Sequence, residues 1–218
     1  MSVWERAHRK GELLNIEPHP EIGSIADFFK EENVVRILDL GSGGVRNLVY
    51  LSRRGFDVHG CDVAPTGLIH TLTILRKKGL KTDLVLGDVS SLPYDADRFD
   101  AVVSIQVIHH NTMQVIKKTI DEIGRVLKAK GFVWITVPVS KNEPNRTQKE
   151  IEPSTFLPLD GLEKGLPHHY FKAEEIATYF SAFSIIDLHT DSTNHFSMLA
   201  KESRKHVEKM RYHRRARN

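Results

Sequence analysis

The sequence predicts an α/β fold: a doubly wound, mostly parallel seven-stranded sheet with an antiparallel last strand and helices on both faces. Three observations lead there. Nearly continuous apolar runs, VVRILDL, AVVSI and FVWITVPV, alternate with longer stretches of helical periodicity; unbroken apolarity is the mark of strands covered on both faces. Strand–helix–strand repetition implies right-handed crossovers and hence parallel neighbours. After Val139 the pattern changes, and two late strand-like runs flank the turn-like DSTN, as in an antiparallel hairpin added at a sheet edge.

Taken in order, the strands are Val34–Leu40, Phe56–Cys61, Thr82–Leu86, Phe99–Ile105 and Gly131–Val139, then Ser184–His189 and His195–Ala200. The helices between them are Arg46–Arg54, Pro65–Lys78 and Met113–Ala129. Pro65 opens the second, where its missing N–H costs nothing. In the third, Val115, Ile116, Ile120, Ile123, Val126 and Leu127 fall at helical spacing, and Gly131 follows as a stop signal. A polar loop, Ser140–Leu166, leads to a short helix, Lys172–Phe180. Ahead of the sheet, Trp4 and His8 would share one face of a short N-terminal helix.

The chain of 218 residues is long enough for one sizeable core. Composition is globular, 40% hydrophobic and 27% charged. No apolar run approaches the roughly 18 residues of a membrane span, and MSVWERAHRKGELL lacks the apolar middle of a signal peptide. Cys61 is alone, which excludes an intrachain disulfide or a cysteine zinc cluster. A cytoplasmic protein without membrane contact is the expectation. Net charge is +3, but residues 201–218 carry eight Lys and Arg against two Glu, leaving residues 1–200 at −3. The reading is a single domain over 1–200 followed by a basic tail, 201–218.

The stretch DLGSGGVRN follows the first strand, where open α/β sheets bind ligands. The dinucleotide pattern G-x-G-x-x-G, counted from Gly41, fails at Arg46, and no Gly-Lys-Ser/Thr follows for a P-loop. What remains is an acid, Asp39, then Gly41, Ser42 and Gly43, with a second acid, Asp62, ending the next strand. A carboxylate there can accept both hydroxyls of a ribose. These residues are consistent with a nucleoside, and nothing is provided for a pyrophosphate.

These residues resemble the class I S-adenosylmethionine-dependent methyltransferases of the small, single-domain type, over roughly Val34 to Val139. DLGSGG resembles the first motif, D/E-x-G-x-G-x-G, whose backbone passes the methionine part of the cofactor. GCDVAP resembles the second, with Asp62 on the ribose and Val63 beside it. GDVSSLPYDADRFDAVVS resembles the third and fourth, which implies Asp88 at the adenine amino group and a backbone contact from Val89. IQVIHH, with Ile105 and Gln106, resembles the segment after the fourth strand, and EIGRVLKAKGFVWITV the approach to the fifth. The resemblance implies S-adenosylmethionine as cofactor and makes residues 1–33 a helical lid. Val45 stands where the family often has its third glycine; a valine is accommodated there if its φ is negative, as at a helix start.

Methyl transfer is an in-line displacement that needs alignment and exclusion of water more than acid catalysis. His109 and His110 are the candidates for a base, because histidine titrates near neutral pH; their alternative is a structural floor to the site. Trp4 in the lid and His168, His169 and Tyr170 in GLPHHYF are the candidate substrate contacts. His8, His19, His59, His189 and His195 have no metal-ligand spacing, and no metal is expected. A small-molecule acceptor is the favoured reading. RNA methylation anchored by the basic tail, or a cofactor-binding scaffold without transfer activity, are its rivals.

Overall fold

The computed structural model describes residues 2–11, 17–139 and 147–203. Its sheet has seven strands in the order β3-β2-β1-β4-β5-β10-β9: β1 (Arg36–Leu40), β2 (Asp57–Asp62), β3 (Asp83–Leu86), β4 (Phe99–Ile105), β5 (Leu127–Pro138), β9 (Phe183–Thr190) and β10 (His195–Glu202). The first five are parallel, and β10 lies antiparallel to both β5 and β9, so the last strand alone runs against the others. The chain reverses its winding between β1 and β4, and the crevice there receives Gly41 onward.

Alternation along the strands feeds two cores. Leu38, Leu40, Val102, Val133, Ile135 and Met198 pack on one face with α5 (Met113–Val126) and α6 (Ala173–Tyr179). Ile37, Ala101, Val103, Phe132, Trp134 and Leu199 pack on the other with α2 (Ile22–Glu31), α3 (Arg46–Arg53) and α4 (Pro65–Lys77). Two buried faces explain why these strands carry little polar alternation.

Three local outcomes differ from the sequence reading. The third predicted helix stops at Val126, three residues early: Leu127 turns extended (ψ 138), pairs with Phe99, and Lys130 takes a left-handed φ of 65 before the apolar run begins. Sheet pairing outweighs helical spacing there, since Leu127 is fully buried either way. The long polar loop contains β6 (Gln148–Glu152) and β7 (Thr155–Pro158), which form a second sheet with β8 (His168–His169) just after it, and the QKEIE strand has no apolar face to announce it. Residues 22–31 form a helix of their own, docked by Ile22, Ala26 and Phe29.

The segment before α2 is tied to the far end of the chain. His19 Nδ1 accepts the Glu21 amide at 3.3 Å, so Nε2 carries the proton and donates to Asp191 Oδ2 at 3.2 Å. Trp134 Nε1 donates to Ser197 Oγ (3.0 Å), which donates to Glu21 Oε2 (2.7 Å). The His19 ring meets Trp134 edge-on at 5.3 Å. All of these groups are thereby satisfied inside the fold.

Residues 204–218 of the basic tail lie outside the described residues. Among the described residues, no helix is long and apolar enough to cross a membrane.

Candidate active site

A cavity of about 640 Å³ opens at the carboxyl ends of β1, β2 and β4. Its floor is the strand-to-helix turn. Gly41 holds φ 79, and a Cβ on it would stand 2.4 Å from Val107 Cγ2; only glycine fits both constraints. Gly43 is equally confined, since a Cβ there would lie 2.6 Å from His8 Nε2 and 2.8 Å from Asp62 Oδ2. Ser42–Gly44 makes one 3-10 turn, and Val45 joins it to α3.

Val45 corrects the expectation of a negative φ. It sits at φ 56, ψ −21, its amide closing the turn on Ser42 O (2.9 Å) and its carbonyl receiving the Val49 amide (2.9 Å). Two helical segments of different axis meet at this residue, and the junction demands the left-handed conformation that a β-branched side chain resists. The side chain is buried against the core and edges the cavity.

At the end of β2, Asp62 Oδ2 accepts the Gly43 amide and Oδ1 the Ala64 amide, each at 2.8 Å. A carboxylate has about four lone-pair sites, so two acceptors remain for hydroxyls. Burial raises the Asp62 pKa against these amide hydrogen bonds. Asp39, 4% exposed, is pushed up to about 7 by burial, with the Asp62 charge adding and Arg46 opposing. Asp88 reaches the cavity beside Val63 and Val89, its Oδ1 already accepting from the amide and hydroxyl of Ser90 (2.8 and 2.7 Å). Ile105 and Gln106 complete this end. The glycine turn, the paired acids and the buried, unpartnered Ser42 Oγ fit an adenosyl cofactor, whose hydroxyls and amino group such atoms can bind.

The N-terminal helix α1 (Val3–Arg9) covers the cavity. Glu5 fastens it to the start of α4, accepting the Thr66 amide (3.0 Å) and hydroxyl (2.6 Å). These hydrogen bonds hold the Glu5 carboxyl down to about 2. Trp4 thereby meets the His110 ring edge-on at 4.7 Å.

The other end gathers histidines. His109 and His110 stack at 3.7 Å, and His168 lies 4.7 Å from the His110 ring. Burial, chiefly, holds His109 well below its usual pKa, with His110 and His168 adding to the effect; burial lowers His110 too, against Glu163. Glu163 spans the group, Oε2 at 3.1 Å from His168 Nε2 and Oε1 at 3.6 Å from His110 Nε2. Tyr170 lines the same end.

Of the residues expected at the site, His169 alone lies elsewhere. It is 1% exposed, bonded through Nδ1 to Thr155 Oγ1 (2.8 Å) and packed on Phe171, because alternation along β8 turns it away from its neighbour. Sequence reasoning missed Glu163, five residues before His168, which joins the cluster through tertiary folding without any periodic signal.

Residues 38–135 match the family model described as a methyltransferase domain. The chain is 38% identical over 109 residues to the Arabidopsis thaliana tRNA (carboxymethyluridine(34)-5-O)-methyltransferase, covering 49% of this chain and 25% of that protein. It thus spans only about a quarter of that relative's length. Over 185 residues it is 29% identical to a putative methyltransferase of Encephalitozoon cuniculi, covering 80% and 81% of the two chains. Among solved structures, the Burkholderia thailandensis 1,6-didemethyltoxoflavin-N1-methyltransferase, with bound 1,6-didemethyltoxoflavin and S-adenosylhomocysteine, superposes with a TM-score of 0.70 at 16% identity, over 92% of this chain and 85% of that one. At that identity the likeness carries the fold.

Proposed function

We propose that the chain, whose residues 38–135 match a methyltransferase-domain model, is an S-adenosylmethionine-dependent class I methyltransferase that methylates a small-molecule acceptor held at the His109–His110 end of the cavity. The observation that carries the reading is the shared, covered cavity. Its Asp62 end fits the nucleoside, its histidine end fits an acceptor, and α1 roofs both. Its size lies within the roughly 300–1,000 Å³ of small-ligand sites. The didemethyltoxoflavin found in the structural neighbour is an acceptor of this size class.

The cofactor, when bound, supplies an electrophilic methyl group on a sulfonium that leaves without acid help. The protein's part is to bind, align and dry. Asp62 takes the ribose hydroxyls, Asp88 the adenine amino group, and the Val89 backbone the ring edge, while Asp39, Gly41, Ser42 and Gly43 line the methionine portion. Val63, Ile105 and Gln106 wall the same end. Of the expected lid over residues 1–33, α1 is the part that acts over the cavity, with Trp4 pressing on the acceptor alongside His168 and Tyr170. His109 and His110, held neutral by burial, act on the acceptor's proton.

A second reading, RNA as acceptor, has the identity to the tRNA methyltransferase in its favour. Labelled S-adenosylmethionine offered with the small-molecule fraction and, separately, with total RNA of a cell extract tests both. Label in the small-molecule fraction is expected. Label in RNA alone overturns the acceptor class, and no binding of S-adenosylhomocysteine overturns the whole reading.

A further inference from the structure

We propose that His109, His110, His168 and Glu163 form a binding site for one divalent transition-metal ion at the acceptor end of the cavity. The three imidazoles each offer a nitrogen within 4.8 Å of the others. Tetrahedral zinc with nitrogens at about 2.0–2.1 Å needs them about 3.3 Å apart, a closure that small side-chain rotations supply. Three neutral donors and one carboxylate suit zinc, cobalt, nickel or copper, which favour imidazole, rather than magnesium or calcium.

The polar bookkeeping around the cluster points the same way. His109 Nδ1 is buried without a hydrogen-bond partner, a costly state unless something ligates it, while His110 turns Nε2 toward Glu163 Oε1 at 3.6 Å. The Leu166 carbonyl can only accept, so His168 Nδ1, 2.9 Å away, carries the proton and Nε2 is the atom presented to Glu163. With Nδ1 held by a backbone carbonyl, the ring is oriented as in a metal-bound histidine, and Nε2 and Glu163 Oε2, 3.1 Å apart, stand at the separation of two neighbouring ligands of one ion. His19, Glu21 and Asp191 also cluster, but hydrogen bonds within the fold already occupy them, so they serve the framework.

The role of the ion rests on the methyl-transfer reading; the site itself does not. An ion there replaces the free base expected of His109 and His110. An acceptor with an ionisable oxygen or sulfur, such as a phenol, enol or thiol, would take the place of Glu163 on the ion, leaving the three histidines as ligands, and release its proton to water. Its heteroatom would then form the bond to the methyl carbon as the carbon–sulfonium bond breaks, the electron pair staying on sulfur.

The test is titration of the full-length, chelator-stripped protein with Zn²⁺ by calorimetry. One saturable equivalent is expected, weakened at least tenfold in His168→Gln and in Glu163→Gln, with S-adenosylhomocysteine affinity within about threefold of the parent. Absence of a stoichiometric Zn²⁺ site, or a site unchanged in both variants, overturns the proposal whether or not the cofactor binds. If the variants do not fold, electron paramagnetic resonance of Cu²⁺ on the unaltered protein decides. Couplings to imidazole nitrogens support the site, and oxygen-only ligation overturns it.

Discussion

Asp62 is bonded to Gly43 across the crevice, the glycine amide donating to Oδ2 at 2.8 Å while Oδ1 holds the Ala64 amide. One side chain therefore fixes the glycine turn, begins α4 and faces the proposed ribose position. Asp62→Ala orphans two buried amides, at about 1–3 kcal/mol each, so both cofactor affinity and melting temperature should fall. Asp62→Asn keeps one carbonyl acceptor and should recover much of the stability but little of the affinity. Thermal melts paired with calorimetry separate the two, and an Ala variant that melts like the parent would show the clamp to be dispensable.

Val45 stores backbone strain in the same turn. Holding an L-residue left-handed costs roughly 1–2 kcal/mol, against about 1.5–3 kcal/mol for a buried valine side chain. Val45→Gly should therefore change stability by only about 1 kcal/mol, far less than truncating an ordinary core valine. Because the isopropyl group edges the cavity, cofactor affinity should hold or rise. A drop of more than threefold would contradict this account.

Asp39 makes cofactor binding depend on pH. Burial raises its folded pKa to about 7, above the unfolded value, so the ligand-free fold loses stability from this group as pH climbs from about 4 to 7. A cationic cofactor favours the ionised form. S-adenosylmethionine should bind more tightly as pH rises through 7, and S-adenosylhomocysteine, without the sulfonium charge, should gain less. Asp39→Asn should flatten both profiles between pH 5.5 and 8.5 in calorimetric titrations.

The tail discriminates between acceptor classes. β10 ends at Glu202, so removing residues 205–218 leaves every sheet contact among the described residues in place, and fold, cofactor affinity and small-molecule activity should survive. An RNA-binding chain would instead show a salt dependence whose slope falls by about 0.7–0.9 for each phosphate contact removed. Filter binding at graded salt reads this directly.

The strands were legible because two covered faces write themselves as unbroken apolar runs, and the meeting of Asp39, Gly41, Gly43 and Asp62 at one end of the cavity because they lie on two consecutive strand ends. What escaped was set by tertiary contact. Leu127 is equally buried in a helix or a strand, so periodicity could not stop α5 at Val126. The left-handed φ of Val45 follows from how two helical segments meet, and Glu163 joins His110 and His168 only once the second sheet has folded over the mouth. His169 read as a partner of His168 because adjacency in sequence hides the strand alternation that separates them.

The ties from His19 and Glu21 to Asp191, Trp134 and Ser197 set an order on biogenesis. A ribosome delivers the N-terminal segment first, yet its anchoring partners emerge more than a hundred residues later. The His19–Glu21 stretch must wait for these partners while the sheet assembles from β1 to β5, whereas α1, held by Glu5 on Thr66, can seat as soon as α4 has formed. The His19–Asp191 pair and the Trp134–Ser197–Glu21 relay are thus closed only once β10 has been made, so a chain stopped before it would leave the entry to α2 untied from the sheet.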